Sequence, residues 1–279
     1  MSERNTRISF EFFPPKTEAG MTKLLNDVTP ALNDLGPEFF SVTYGAGGST
    51  RDTTLDVVSS LSASGIDVAP HLSFGGDDEN AVETLLNTYR ERGIKRLVAL
   101  RGDMPSGMGG ATHLVYANEL VEFIRKTSGD HFEIEVAAYP EIHPEAQGYN
   151  QDIQFLKAKF DAGANSAITQ YFYNVEAYFY FLDQCAAAGI DKPVYAGIMP
   201  ITNFQNLVRF SAKSGAEIPR WIHQRVADFG DDQESITKFG IEVVTQLSQT
   251  LLESGAPGIH FYTMNQIEPT RQIYKNLGL

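Results

Sequence analysis

The stretch Leu251-Leu252-Glu253-Ser254-Gly255-Ala256-Pro257-Gly258-Ile259-His260-Phe261-Tyr262-Thr263 holds the end of a helix, a glycine stop and the start of a strand. Upstream of it, residues 231–253 carry the helical period. Ile236, Phe239, Val243, Leu247 and Leu251 recur every three or four residues, with Gln246, Gln249 and Glu253 between them. Asp231 and Asp232 favour the amino-terminal end of that helix dipole. Gly255 can take the left-handed conformation that ends a helix without a Cβ penalty. The run 259–263 that follows is β-branched and aromatic, as a buried strand requires.

The same order of helix, glycine and strand repeats along the chain. Gly36, Gly65, Gly93, Gly129, Gly163 and Gly189 each follow a helix-like segment and precede an apolar run, and Gly278 closes the last helix. The strand runs are 8–13, 39–44, 68–74, 97–100, 134–139, 167–172, 194–199 and 259–263. Eight strands alternating with helices in 279 residues predict a single-domain (β/α)8 TIM barrel spanning residues 1–279. A doubly wound open sheet is the alternative, but no Gly-x-Gly-x-x-Gly follows the first strand. The unit between Gly189 and Gly255 is the longest and has room for an extra short helix at 219–226.

Composition narrows the function classes. Hydrophobic residues at 42% and charged residues at 20% are a globular balance. Lys and Arg number 22 against 35 Asp and Glu, a net charge of −13 that repels nucleic-acid phosphates and anionic lipid. No stretch is apolar enough to cross a bilayer, and residues 1–7 are polar, without a secretory signal. Cys185 is the single cysteine, which removes disulfide frameworks and cysteine-rich metal sites. These features predict an acidic cytoplasmic protein with small-molecule partners, bound to neither nucleic acid nor membrane.

In a barrel, chemistry collects at the carboxyl ends of the strands. Those ends carry Glu11, Thr43, His71, Arg101 with Asp103, Tyr139, Gln170 and Asn265. Glu11 interrupts the run Phe10-Glu11-Phe12-Phe13-Pro14-Pro15 and faces away from Phe10 and Phe12. An aromatic mouth would desolvate it, raise its pKa and make it a general acid; the competing reading is a buried Glu paired with Arg or Lys from another strand. In Arg101-Gly102-Asp103, Gly102 permits close approach of a ligand, while Asp103 is either a functional carboxylate at the barrel mouth, or a helix N-cap or salt-bridge partner of Arg101. The segment 137–146 offers small residues beside Tyr139 and His143, and Asp152 and Lys159 share one face of the next helix, a spacing that a solvated helix face explains equally well. No metal-binding pattern is present, so His71, His143 and His260 read as hydrogen-bonding groups. Schiff-base chemistry and a nucleophile elbow are likewise without their residues.

Taken together, the motifs resemble methylenetetrahydrofolate reductase in its short bacterial form. The matching blocks are 10–15, Ser41-Val42-Thr43-Tyr44-Gly45-Ala46, Ala69-Pro70-His71-Leu72, Ala99-Leu100-Arg101-Gly102-Asp103, 138–146, Asp161-Ala162-Gly163-Ala164-Asn165, Ile168-Thr169-Gln170-Tyr171-Phe172, Gly197-Ile198-Met199-Pro200 and His260-Phe261-Tyr262-Thr263. The resemblance implies a homo-oligomeric barrel that binds FAD non-covalently, without the regulatory domain of eukaryotic members. It implies hydride transfer in ping-pong fashion from NADH or NADPH, through the flavin, to 5,10-methylenetetrahydrofolate. By the same resemblance, Glu11 is the general acid that opens the folate ring, and Asp103 is the carboxylate beside flavin and pterin. Flavin contacts would come from Thr43, His71, Arg101, Gly102, Asp103, Tyr116, Ala117, Tyr139, His143, Pro144, Glu145, Ala146, Asp152 and Lys159. Substrate contacts would come from Asp103, Gln170, Asn206, Phe210 and Tyr262. The chain departs from the enterobacterial pattern at Phe155, Ala158, Asn206 and Gln266, where Asn, Arg, Gln and Arg are familiar. A non-redox pterin-binding barrel and a catalytically silent one are the competing readings.

Overall fold

A computed structural model describes residues 6–45, 50–74, 78–101 and 116–279. Eight parallel strands close into one barrel in the order β1 to β8. They are β1 Arg7–Phe12, β2 Phe39–Val42, β3 Val68–Leu72, β4 Arg96–Ala99, β5 Glu133–Ala138, β6 Ser166–Thr169, β7 Val194–Ile198 and β8 Gly258–Tyr262. The barrel closes where β1 meets β8, with Ile8 opposite Ile259 and Glu11 opposite Tyr262.

The helices, in chain order, are α1 Glu18–Lys23 and α2 Thr29–Asn33, joined by a π-turn at Leu24–Val28, then α3 Arg51–Ala63, α4 Glu79–Glu91 and α5 Ala117–Ser128. They continue as α6 Tyr149–Asp161, α7 Val175–Ala187, α8 Phe204–Ser214, α9 Arg220–Phe229, α10 Gln233–Glu253 and α11 Thr270–Asn276. The expected extra helix after β7 is α9, and α8 precedes it. Asp232 caps α10 by accepting from the Ser235 amide at 3.1 Å, so the acidic pair does start that helix. The eight punctuating glycines all have positive φ, from 55° at Gly129 to 113° at Gly163. None of the helices among the described residues is long and apolar enough to cross a membrane.

Several sequence runs extend past the strands themselves. Phe74 and Phe172 are buried just beyond β3 and β6, so the apolar signal persists after the ladder has ended. Strand alternation divides the core in two. Phe10, Phe12, Phe40 and Phe261 point outward into a large cluster shared with the helices. A small inner cluster of Phe39, Ala69, Val98 and Ile168 fills the middle of the barrel.

Below that inner cluster lies an ionic layer. Glu135 is fully buried and accepts from Arg7, from Arg96 at 2.6 Å and from Ser166. Arg7 also lies over the Tyr195 ring at 3.9 Å and the Phe39 ring at 4.7 Å. Burial pushes the Glu135 pKa up, but Arg7, Ser166 and Arg96 outweigh it and hold the carboxyl below its ordinary range. The paired buried glutamate considered for Glu11 is therefore realised at Glu135.

Candidate active site

The carboxyl ends of the strands form two adjoining chambers. The smaller, about 390 Å³, is lined by Glu11, His71, Gln170, Tyr171, Met199, Phe210, His260, Tyr262 and Met264, among others. The larger, about 650 Å³, is lined by Arg101, Tyr116, Ala117, His143, Glu145, Asp152, Phe155, Ala158 and Lys159, among others. Leu100, Ala137 and Tyr139 line both and form the wall between them.

In the smaller chamber, β1 aims Glu11 inward because its neighbours Phe10 and Phe12 take the outer face. Three groups surround its Oε2: His71 Nε2 at 3.3 Å, His260 Nε2 at 3.5 Å and Ser41 Oγ at 3.4 Å. His260 is wholly buried, and its Nδ1 faces Ser9 Oγ at 2.7 Å. With Ser9 donating to Nδ1, the ring keeps its proton on Nε2, facing the carboxylate. Backbone contacts fix the strand end as well. Thr263 Oγ1 donates to the Glu11 carbonyl at 2.7 Å, and Asn265 bridges the Phe13 amide and carbonyl.

This arrangement corrects one expectation. Burial does push Glu11 upward, but hydrogen bonds from His260 and His71 overcome it and lower the pKa from 4.5 to about 2. Glu11 is therefore an ionised carboxylate in the free protein, rather than a carboxylic acid poised near neutrality. Desolvation keeps His260 below its ordinary pKa, so it donates as a neutral ring. Tyr262 closes the chamber, with its hydroxyl on the Thr169 carbonyl at 2.7 Å. Gly197 makes room for it, since a Cβ there would lie 2.8 Å from the Tyr262 ring.

In the larger chamber, the loop after β5 is held by its own hydrogen bonds. Asp152 accepts from the His143 amide at 2.9 Å, Tyr149 donates to the Pro140 carbonyl at 2.9 Å, and the Ala146 amide donates to the His143 carbonyl at 2.9 Å. Those contacts sustain Ile142 at φ 71°, an unfavourable conformation for a β-branched residue. Tyr139 and His143 meet edge to face at 4.6 Å. Arg101 forks onto Glu145, one bond measuring 2.7 Å. Lys159 donates to the Ala137 carbonyl, and burial, partly offset by Asp152, lowers its pKa to about 8.

The expected site residues are therefore mostly gathered at one end of the barrel. Arg101, Tyr116, Ala117, Tyr139, His143, Glu145, Asp152 and Lys159 line the larger chamber. His71 lies with Glu11 in the smaller one, alongside Gln170, Phe210 and Tyr262. Thr43 sits at the end of β2, its amide on the Phe12 carbonyl, while its neighbours Tyr44 and Gly45 line the larger chamber. Pro144 packs toward Gly215 at the edge of the site. Asn206 is exposed near the start of α8, where Arg209 donates to it at 2.8 Å, and it lines neither chamber. Gly102 and Asp103 lie outside the described residues. The sequence reading missed Ser9 and Ser41 as partners of the site and named His260 without its target. Their signal was polar side chains on the inward-facing positions of otherwise apolar strands.

A barrel with a histidine-flanked carboxylate at its mouth, beside a cleft carrying cations, is the framework of an enzyme. The chain matches the family model for methylenetetrahydrofolate reductase over residues 1–278. It belongs to that family and is an oxidoreductase, as the nine sequence blocks indicated. It is 39% identical over 273 residues to the 5,10-methylenetetrahydrofolate reductase of Escherichia coli K12, covering 98% of this chain and 90% of that one. Methylenetetrahydrofolate reductase (NADH) 1 of Arabidopsis thaliana is 36% identical over 288 residues, covering 98% of this chain and 48% of the plant protein. Among solved structures, an uncharacterized Clostridium thermocellum protein that binds two copies of 5-methyl-5,6,7,8-tetrahydrofolic acid shares the fold. Its TM-score is 0.70 at 17% identity, covering 98% of this chain and 93% of that one.

Proposed function

We propose that this chain reduces 5,10-methylenetetrahydrofolate to 5-methyltetrahydrofolate with electrons from NADH or NADPH, using non-covalent FAD. The observation that carries the reading is the pair of chambers, one holding Glu11 and the other two cations, which among the described residues share a wall of Leu100, Ala137 and Tyr139. A folate-binding protein with the same fold and relatives named as reductases of this folate support it. The plant relative is named as an NADH enzyme, which supports a nicotinamide as the reductant.

The larger chamber fits a flavin dinucleotide by the chemistry of its donors. Lys159 is a cation depressed by burial, Arg101 is a second one, and both occur on a chain of net charge −13. An anionic diphosphate is the partner that such cations want. Tyr116, Ala117, Tyr139, His143, Glu145, Ala146 and Asp152 would complete the binding site with Gly102 and Asp103. Bound FAD would supply hydride transfer between the nicotinamide and the folate.

The chain's own residues supply binding and proton transfer. Gln170 and Phe210 would hold the pterin against Tyr262, and Glu11 would deliver a proton to the folate so that its five-membered ring opens to an iminium cation. Glu11 must first gain that proton. A folate filling the smaller chamber excludes water from the carboxylate and drives its pKa upward, toward the protonated state. Asp103, by its resemblance, would stabilise the cation so formed. The enzyme so proposed is cytoplasmic, as its acidic composition suggests, and homo-oligomeric, as the family resemblance implies.

The direct test is spectroscopic. Purified protein loaded with FAD should show flavin absorbance that NADH or NADPH bleaches without oxygen and that methylenetetrahydrofolate restores. Protein that cannot be loaded with FAD, or whose bleached flavin ignores the folate, would overturn the reading. A second expectation concerns pH. Lys159 is charged below about 8 and loses its charge as pH rises through that value, so FAD should bind more weakly above it. Fluorescence titrations from pH 7 to 9 should show this weakening in the wild type and a flatter profile in Lys159→Met. A wild-type affinity independent of pH would remove Lys159 from diphosphate binding.

A further inference from the structure

We infer that Phe155 is the residue by which this chain selects a flavin dinucleotide over a flavin mononucleotide, by stacking on the purine base. The inference rests on the flavin reading above and deepens it. The larger chamber has an order along its length. At one end, Leu100, Ala137 and Tyr139 adjoin the chamber of Glu11, so the reacting ring belongs there. Arg101 and Lys159 provide the cationic stretch for the phosphates.

Phe155 stands one helical turn before Lys159 on α6, on the same face of the helix. It lines the chamber yet is 51% exposed, and among the described residues it makes no aromatic ring contact. A phenyl ring left open in a concave site is a surface waiting for an apolar or flat partner. Ala158 beside it is small and also lines the chamber. Tyr116, at the start of the neighbouring helix α5, presents a second ring to the same chamber and is likewise 51% exposed. Phe155 has no hydrogen-bonding group, so it can recognise a base only through its face. The remaining part of a flavin dinucleotide, once ring and phosphates are placed, is its purine.

The test is a pair of titrations on the full chain. Flavin fluorescence and calorimetry would give dissociation constants for FAD and FMN in the wild type, Phe155→Ala and Phe155→Trp. Phe155→Ala should weaken FAD by about 5- to 140-fold, the range expected for loss of one base–aromatic stack. Its FMN affinity should stay within about twofold, and Phe155→Trp should keep FAD affinity near that of the wild type. Equal weakening of FAD and FMN, or unchanged FAD affinity in Phe155→Ala, would overturn the inference while leaving the flavin reading intact. A wild type that binds FMN but gains nothing from the added nucleotide would overturn it as well. A wild type that binds no flavin would sink the flavin reading and this inference with it.

Discussion

Replacing Glu11 by Gln should leave bleaching of the flavin by nicotinamide intact and slow reduction of methylenetetrahydrofolate by about 10²–10⁴-fold, the usual contribution of a general acid. The amide keeps the size of the side chain and an oxygen for Ser41, His71 and His260 to bond, but it carries no transferable proton. The effect must therefore fall on the half-reaction that needs one. The pH dependence adds a second signature. With the free carboxyl held to about 2, the protonated fraction falls tenfold for each unit of pH above that value. The wild-type kcat/KM for folate should accordingly rise as pH falls from 8 toward 5, whereas the variant's residual rate should lack that slope. Stopped-flow measurement of the two half-reactions separates the cases. Normal folate turnover in Glu11→Gln would exclude Glu11 as the acid, and equal loss in both half-reactions would point to damage of the chamber.

The largest effect on stability should come from Glu135→Ala. Glu135 accepts from two guanidinium groups and a hydroxyl in a fully buried layer, and the Arg7 side chain is itself only 8% exposed. Removing the carboxylate leaves Arg7 and Arg96 with Glu38 as their remaining acid among the described residues. Breaking a buried ion pair from one side costs about 3–5 kcal/mol, which lowers Tm by about 10 °C in a chain of this size. Thermal unfolding followed by circular dichroism would measure it, and a Tm within two or three degrees of the wild type would refute it. Acid should expose the same group. Glu135 and Glu11 both have folded pKa values below the ordinary 4.5, so their stabilisation is present above that pH and is lost as pH falls through the folded values. Wild-type stability should therefore fall between about pH 4.5 and 2, and more steeply than that of Glu135→Gln, which has one depressed carboxyl fewer.

The barrel was legible because its punctuation is local. A glycine at positive φ and the apolar run after it are read within ten residues, and that is enough to place eight strands. The strand ends were placed less well because Phe74 and Phe172 stay buried after pairing stops. Glu11 was legible for a similar reason, as the one charge in an aromatic run. Its ionisation was not, since the histidines that decide it lie on β3 and β8, and Ser9 meets His260 across 251 residues. Glu135 breaks the run Ile134-Glu135-Val136 just as Glu11 breaks its own, yet only strand pairing reveals which arginines answer it. The position of Asn206 outside both chambers was equally beyond the local pattern.

The clasp between β1 and β8 has a consequence for how the protein is made. A ribosome delivers Glu11 some 250 residues before His260, Thr263 and Asn265, Thr263 lying 252 positions beyond its partner carbonyl. Contacts so distant in sequence form late, after the loop-closure entropy has been met. Until β8 docks, the nascent polypeptide carries its acidic group without the second of the two histidines that tune it or the hydroxyl that anchors its strand, so competence is completed only at closure.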